Sequence, residues 1–155
     1  MPRASVGLTV MRVLAAGFFL AWLVSAIYAA LPARKLVKWR AIEGAAAAAA
    51  AEHKPILYDF SATWCGPCKE MEKKVFADGD AAKLINGRFV PVRVDDDDKS
   101  PAAAALREQY DVAALPTLLV VHDPKGEPRR HEGFNYKGET VAFLKGALEP
   151  QADAR

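Results

Sequence analysis

The chain has 155 residues, enough for one domain and an appendage at about 100–200 residues per domain. Hydrophobic residues make up 52% and charged residues 26%, which excludes a disordered chain, and two cysteines are too few for a disulfide-stapled mini-protein. The net charge of +2 hides a split: residues 1–40 hold six basic side chains and no acid, leaving 15 basic against 19 acidic residues beyond them. Such an acidic body is a poor partner for a phosphate backbone, so no nucleic acid is expected.

Residues 1–12 are a basic flank to an apolar stretch, 13–31, that contains no charged residue. As a helix its 19 residues rise about 1.5 Å each, close to the ~30 Å hydrocarbon core of a bilayer. A soluble helix would show a polar face, and this stretch has none. It reads either as a retained transmembrane anchor or as a signal peptide cut near Val24-Ser25-Ala26. The apolar run continues past that site to Leu31, which favours the anchor. Arg3 and Arg12 flank it on one side, and Arg34, Lys35, Lys38 and Arg40 on the other, so counting charges leans toward a cytoplasmic body. Residues 32–40 read as a basic linker, 41–149 as a folded domain and 150–155 as a disordered tail.

Within the domain, alanine propensity predicts a helix over 40–53, weakened by Gly44. Pro55 punctuates, and residues 56–60 read as a buried strand. A helix over 65–75 carries Met71 and Val75 on its apolar stripe, with Phe76 following. A second short helix over 80–85 is expected to end at Asn86-Gly87. Then come a strand (89–94), a turn of four aspartates, a helix (102–110) and a strand (117–121). Asp123-Pro124-Lys125-Gly126 signals a turn into a last strand (128–133), and an amphipathic helix over 138–148 closes the chain, with Val141, Phe143, Leu144 and Leu148 inward. The first half needs parallel neighbours and the end is a hairpin packed by a helix. The expected class is α/β: a central mixed four-stranded sheet flanked by helices, preceded by one N-terminal transmembrane helix.

Both cysteines lie in Trp64-Cys65-Gly66-Pro67-Cys68, directly after a strand and at the start of a helix. There Cys65 faces unpaired N–H groups and the positive end of the helix dipole, which favour a thiolate, the nucleophile of disulfide exchange. Cys68, three residues on, shares its face and is placed to close a disulfide. Gly66 permits the turn, and Pro67 needs no N–H so early in a helix. Zinc would need four ligands, and His53, His122 and His131 show no paired spacing, so no metal is expected. A purely structural bridge over so short a loop removes little chain entropy. The Asp95 to Asp98 run fails as a calcium loop, because Ala102 stands where a loop begun at Asp97 needs glycine.

The run from Ile56 to Phe60 and on through Trp64-Cys65-Gly66-Pro67-Cys68-Lys69 resembles the active-site region of the thioredoxin superfamily. Leu115-Pro116-Thr117 resembles that family's cis-proline loop, and Gly126-Glu127 and Gly133 its later landmarks. The helix from Cys68 to Phe76, with Asp95 after the next strand, is similar to the C-terminal thioredoxin-like domain of bacterial transmembrane thiol:disulfide interchange proteins. The resemblance implies that Cys65 attacks a substrate disulfide and Cys68 resolves the mixed disulfide. It implies that Asp59, buried, accepts a proton from Cys68, that Trp64 shields the pair, and that Leu115, Pro116 and Thr117 bind an extended substrate. No cofactor is expected beyond a redox-active Cys65–Cys68 disulfide. Three departures stand out: Ser61 replaces a frequent tryptophan, no lysine lies opposite Asp59, where Pro91 or Arg93 falls, and the active-site helix lacks an internal proline.

The expected activity is a thiol:disulfide oxidoreductase, a protein-disulfide reductase tethered to the bacterial inner membrane, with its catalytic domain facing the periplasm. An anchor serves a reductant outside the membrane better than one in the cytoplasm, which outweighs the charge count. Disulfide-containing proteins are the expected substrates, a membrane protein the electron donor, and the chain a monomer. The alternatives are a disulfide isomerase or oxidase, or a non-catalytic chaperone or assembly factor using the peptide groove.

Overall fold

A computed structural model describes residues 4–30, 35–124 and 126–149. The tail 150–155, part of the linker, Leu31 and turn residue Lys125 lie outside the described residues. The chain divides into two compact units, Met1–Pro32 and Ala33–Arg155. In the first, helix α1 (Ala4–Ala30) contains an 18-residue stretch, Val10–Ile27, long and apolar enough to cross a membrane.

The second unit is built on a four-stranded sheet of β1 (Ile56–Ser61), β2 (Val90–Asp95), β3 (Thr117–Val121) and β4 (Arg129–Glu132), ordered β2-β1-β3-β4. β1 runs parallel to β2 and antiparallel to β3, and β3 and β4 form the expected hairpin. Helices α2 (Ala45–Glu52), α3 (Gly66–Met71), α4 (Gly79–Arg88), α5 (Pro101–Gln109) and α6 (Lys137–Ala147) complete it. A π-helical turn, Glu72–Phe76, continues α3.

Alternation along the strands sorts side chains between two cores. Ile56, Tyr58 and Phe60 join Val90, Val92 and Val94 in one core, together with Ala45 of α2 and Ala103 of α5. Leu57, Leu118 and Val120 pack in the other with Met71, Val75, Ile85 and Leu144. The same parity puts Asp59 and Arg93, partners in the β1–β2 register, on one face of the sheet.

Three boundaries differ from expectation. α2 begins at Ala45, not residue 40, because Gly44 is left-handed (φ 81°) and the Arg40 N–H donates to the Pro91 carbonyl at 2.9 Å. α4 runs through Asn86-Gly87 to Arg88. Asn86 serves a tertiary purpose instead of ending the helix: its Oδ1 accepts from the Lys38 N–H (2.8 Å) and its Nδ2 donates to the Leu36 carbonyl (2.9 Å). Residues 36–40, within the expected linker, therefore lie against the domain, with Val37 buried and Arg40 bridged to Val92. Thr140, Leu144 and Ala147 form the buried stripe of α6, with Val141, Phe143 and Leu148 partly covered beside it.

Candidate active site

β1 is apolar apart from Asp59, so it runs buried through the centre of the sheet and delivers the chain to the 62–65 turn. Cys65 is the N-cap of α3, and its Sγ accepts from the Cys68 N–H at 3.2 Å. Pro67 occupies the first turn, where its missing N–H costs nothing. Cys65 and Cys68 are joined as a disulfide (S–S 2.01 Å). Both are nearly buried, packed with Ala62 and against Leu115.

The Leu115–Pro116 peptide bond is cis. Thr117 closes this loop by donating its hydroxyl to the Ala114 carbonyl (2.8 Å), and the Pro116 carbonyl accepts from the Gly133 N–H (2.8 Å). Trp64 is 65% exposed and borders a cleft of about 210 Å³ with Asp96, Arg107 and residues 112–115. It stands at the rim of the site with most of its surface toward solvent.

Asp59 is 1% exposed. Burial pushes its carboxyl up to about 6, although Arg93 pulls the other way through charge and hydrogen bonding. The Arg93 Nε donates to Asp59 Oδ2 at 2.9 Å, and its Nη2 reaches both Asp59 Oδ2 (2.8 Å) and Glu72 Oε2 (2.7 Å). Arg93 thus holds two carboxylates. A cleft of about 170 Å³ is lined by Cys68 together with Ser61, Lys69, Glu72, Arg93 and Asp95, so Cys68 shares it with both partners of the Arg93–Glu72 pair.

The structure places Asp59 within β1, Trp64 and Cys65 on the turn that follows it, and Gly66, Pro67 and Cys68 in the first turn of α3. Leu115 and Pro116 lie just before β3, and Thr117 is at its start. Three further residues emerge. Arg93 fills the cationic position opposite Asp59 that the sequence reading left without a lysine. Glu72 joins it through the π-turn, whose wide Ala77 N–H to Glu72 carbonyl bond (2.9 Å) falls in the helix that lacks an internal proline. Asp97, from the aspartate run, accepts from both the N–H (3.0 Å) and the hydroxyl of Thr63. Those hydrogen bonds hold the Asp97 carboxyl below its usual range and pin the turn that carries Trp64 and Cys65.

A cysteine pair at a strand-to-helix turn, after a strand that carries a buried carboxylate and beside a proline loop, defines a dithiol–disulfide exchange site. Comparison with known proteins agrees with that class: the profile of the thioredoxin-like domain matches residues 42–152. The chain is 42% identical over 74 residues to "Thioredoxin H-type" of Chlamydomonas reinhardtii, covering 46% of this chain and 58% of that one. It is 38% identical over 98 residues to "Thiol:disulfide interchange protein DsbD 2" of Pseudomonas aeruginosa, covering 63% of this chain and 16% of that one. A thioredoxin from Thermus thermophilus superposes with TM-score 0.61 at 25% identity, covering 71% of this chain and 85% of that one. The reduced DsbD C-terminal domain of Neisseria meningitidis does so with TM-score 0.53 at 26% identity, covering 70% and 99%.

The chain belongs to the thioredoxin-like family, a family of thiol:disulfide oxidoreductases. It spans between about one sixth and three fifths of the length of these two curated relatives.

Proposed function

We propose that this protein is a membrane-tethered thiol:disulfide oxidoreductase that reduces protein disulfides through Cys65 and Cys68. The observation that carries the reading is the Cys65–Cys68 disulfide at the head of α3, packed against Leu115 of the cis-proline loop. In the reduced form the Cys65 thiolate attacks one sulfur of a substrate disulfide. That S–S bond breaks, and the departing substrate sulfur leaves as a thiolate and takes up a proton. Asp59, whose partner Arg93 lines the cleft at Cys68, accepts the Cys68 proton. The Cys68 thiolate then attacks Cys65 Sγ, releasing the second substrate thiolate and forming the Cys65–Cys68 disulfide. The cysteine pair itself carries the two electrons, and one copy of the chain supplies every group named.

An extended substrate segment lies along Leu115, Pro116 and Thr117, with Trp64 bordering it. Pro67 before the second cysteine resembles the reducing members of the superfamily. A potential near that of thioredoxin, about −270 mV, makes the pair a reductant in an oxidising compartment. The α1 helix serves as the anchor in the bacterial inner membrane, with the domain in the periplasm. There it is recharged by a membrane dithiol donor, whose effective concentration the tether raises.

Substitution of each cysteine in the full chain tests the reading. Cys65→Ser removes disulfide reduction altogether, whereas Cys68→Ser accumulates a mixed disulfide with substrate, visible as a reductant-sensitive adduct on gels. Full activity of Cys65→Ser would leave a chaperone or assembly role and contradict the enzyme.

A further inference from the structure

The segment leading into the domain reaches the acid cluster. Val37 is buried, the Asn86 side chain holds the backbone at Leu36 and Lys38, and Arg40 is fixed by the Pro91 carbonyl and by Glu52 (2.6 Å). Between these anchors Trp39 is laid against the Arg93 guanidinium, 4.4 Å from the ring centroid. Trp39 also meets Phe76 of the π-turn edge-on at 5.0 Å, and Phe76 lies 5.5 Å from the same guanidinium. Arg93 is therefore framed by two aromatic rings while its nitrogens point to Asp59 and Glu72.

We propose that Trp39 is a positioning residue of the active site: by covering Arg93, it fixes the guanidinium against Asp59 and Glu72. A free arginine side chain samples many rotamers and exchanges carboxylate partners for water. An aromatic face removes water from one side of the ion and adds a cation–π attraction. The consequence reaches Asp59, which depends on Arg93 as its neighbouring cation. The other charged groups acting on Asp59 are Glu72 on the π-turn and Asp95 on β2, and Cys68 and Lys69 of α3 line the cleft with Glu72, Arg93 and Asp95. Glu72 and Asp95 both oppose ionisation of Asp59, and Arg93 favours its charged form. A site read from residue 41 onward would lack this part.

The inference rests on the proton-accepting role given to Asp59 above, and two readouts keep them apart. The first is a ¹³C NMR titration of Asp59 in the full chain in detergent micelles, in the disulfide form, where neither cysteine titrates. With Trp39→Ala, Arg93 is loosened while Asp59 stays buried. The Asp59 midpoint rises by about 0.5 pH unit, roughly a threefold change in its ionisation equilibrium. Trp39→Phe restores the midpoint and Trp39→Leu, which covers without a π-face, does not. If Trp39→Ala fails to fold, the Phe and Leu variants decide. A midpoint unchanged in a folded Ala or Leu variant overturns the proposal. The second readout is the pH profile of disulfide reduction, whose acid limb moves with the midpoint. A moved midpoint with an unmoved limb supports the placement by Trp39 and overturns the role of Asp59 as proton acceptor.

Discussion

A carboxyl held near 6 in the folded chain and at 3.8 when exposed makes stability depend on pH in a defined direction. The unfolded chain gives up this proton at lower pH than the folded one. The stabilisation is therefore full below 3.8 and is lost as pH rises to about 6, beyond which the loss is constant. The loss amounts to about 3 kcal/mol by linkage. Asp59→Asn is expected to stabilise the protein by about 1–3 kcal/mol at pH 7.5 and by little at pH 4, read by urea unfolding. Destabilisation at pH 7.5 would contradict the burial account. The same variant slows resolution of the mixed disulfide if Asp59 takes the Cys68 proton. At this scale much was legible: two cysteines at helix spacing and one acid in an apolar strand are local signals. Arg93 was legible only as an alternative to Pro91, because it meets Asp59 through the β1–β2 register, which the sequence leaves open. Asp97 was hidden by its neighbours, since four aspartates in a row do not show which one reaches Thr63.

Elements carry the site by how they end and what they lean on. α4 continues past Asn86, whose side chain bonds two backbone groups of the 36–38 segment. Asn86→Ala leaves both without these partners and is expected to cost about 1–3 kcal/mol in urea unfolding. A change within 0.3 kcal/mol, about the scatter of an ordinary surface substitution, would show the segment to be loosely held. The four strands and most helices were legible from alternation and apolar spacing. The Asn-Gly pair misled because it is a turn signal whose meaning depends on the neighbouring segment. The π-turn was illegible for a simpler reason: over five residues, its spacing of apolar positions does not differ enough from an α-helix.

For the whole molecule, hydropathy divides it as the two compact units do. The apolar N-terminal unit holds a stretch able to cross a membrane, and the second unit, whose acidic excess begins only beyond residue 40, holds the dithiol. Charges flanking that stretch lean toward a cytoplasmic body, and the proposed role as a tethered reductant points to the opposite side. Protease added to intact spheroplasts is expected to digest residues 41–149, and protection until lysis would place the domain in the cytoplasm. The direction of electron flow is the central claim. It is tested most directly by the midpoint potential of Cys65 and Cys68 in the full chain, equilibrated in glutathione buffers. A reductase requires a value near that of thioredoxin, about −270 mV, and a value near −120 mV, that of a strong oxidant, would contradict it.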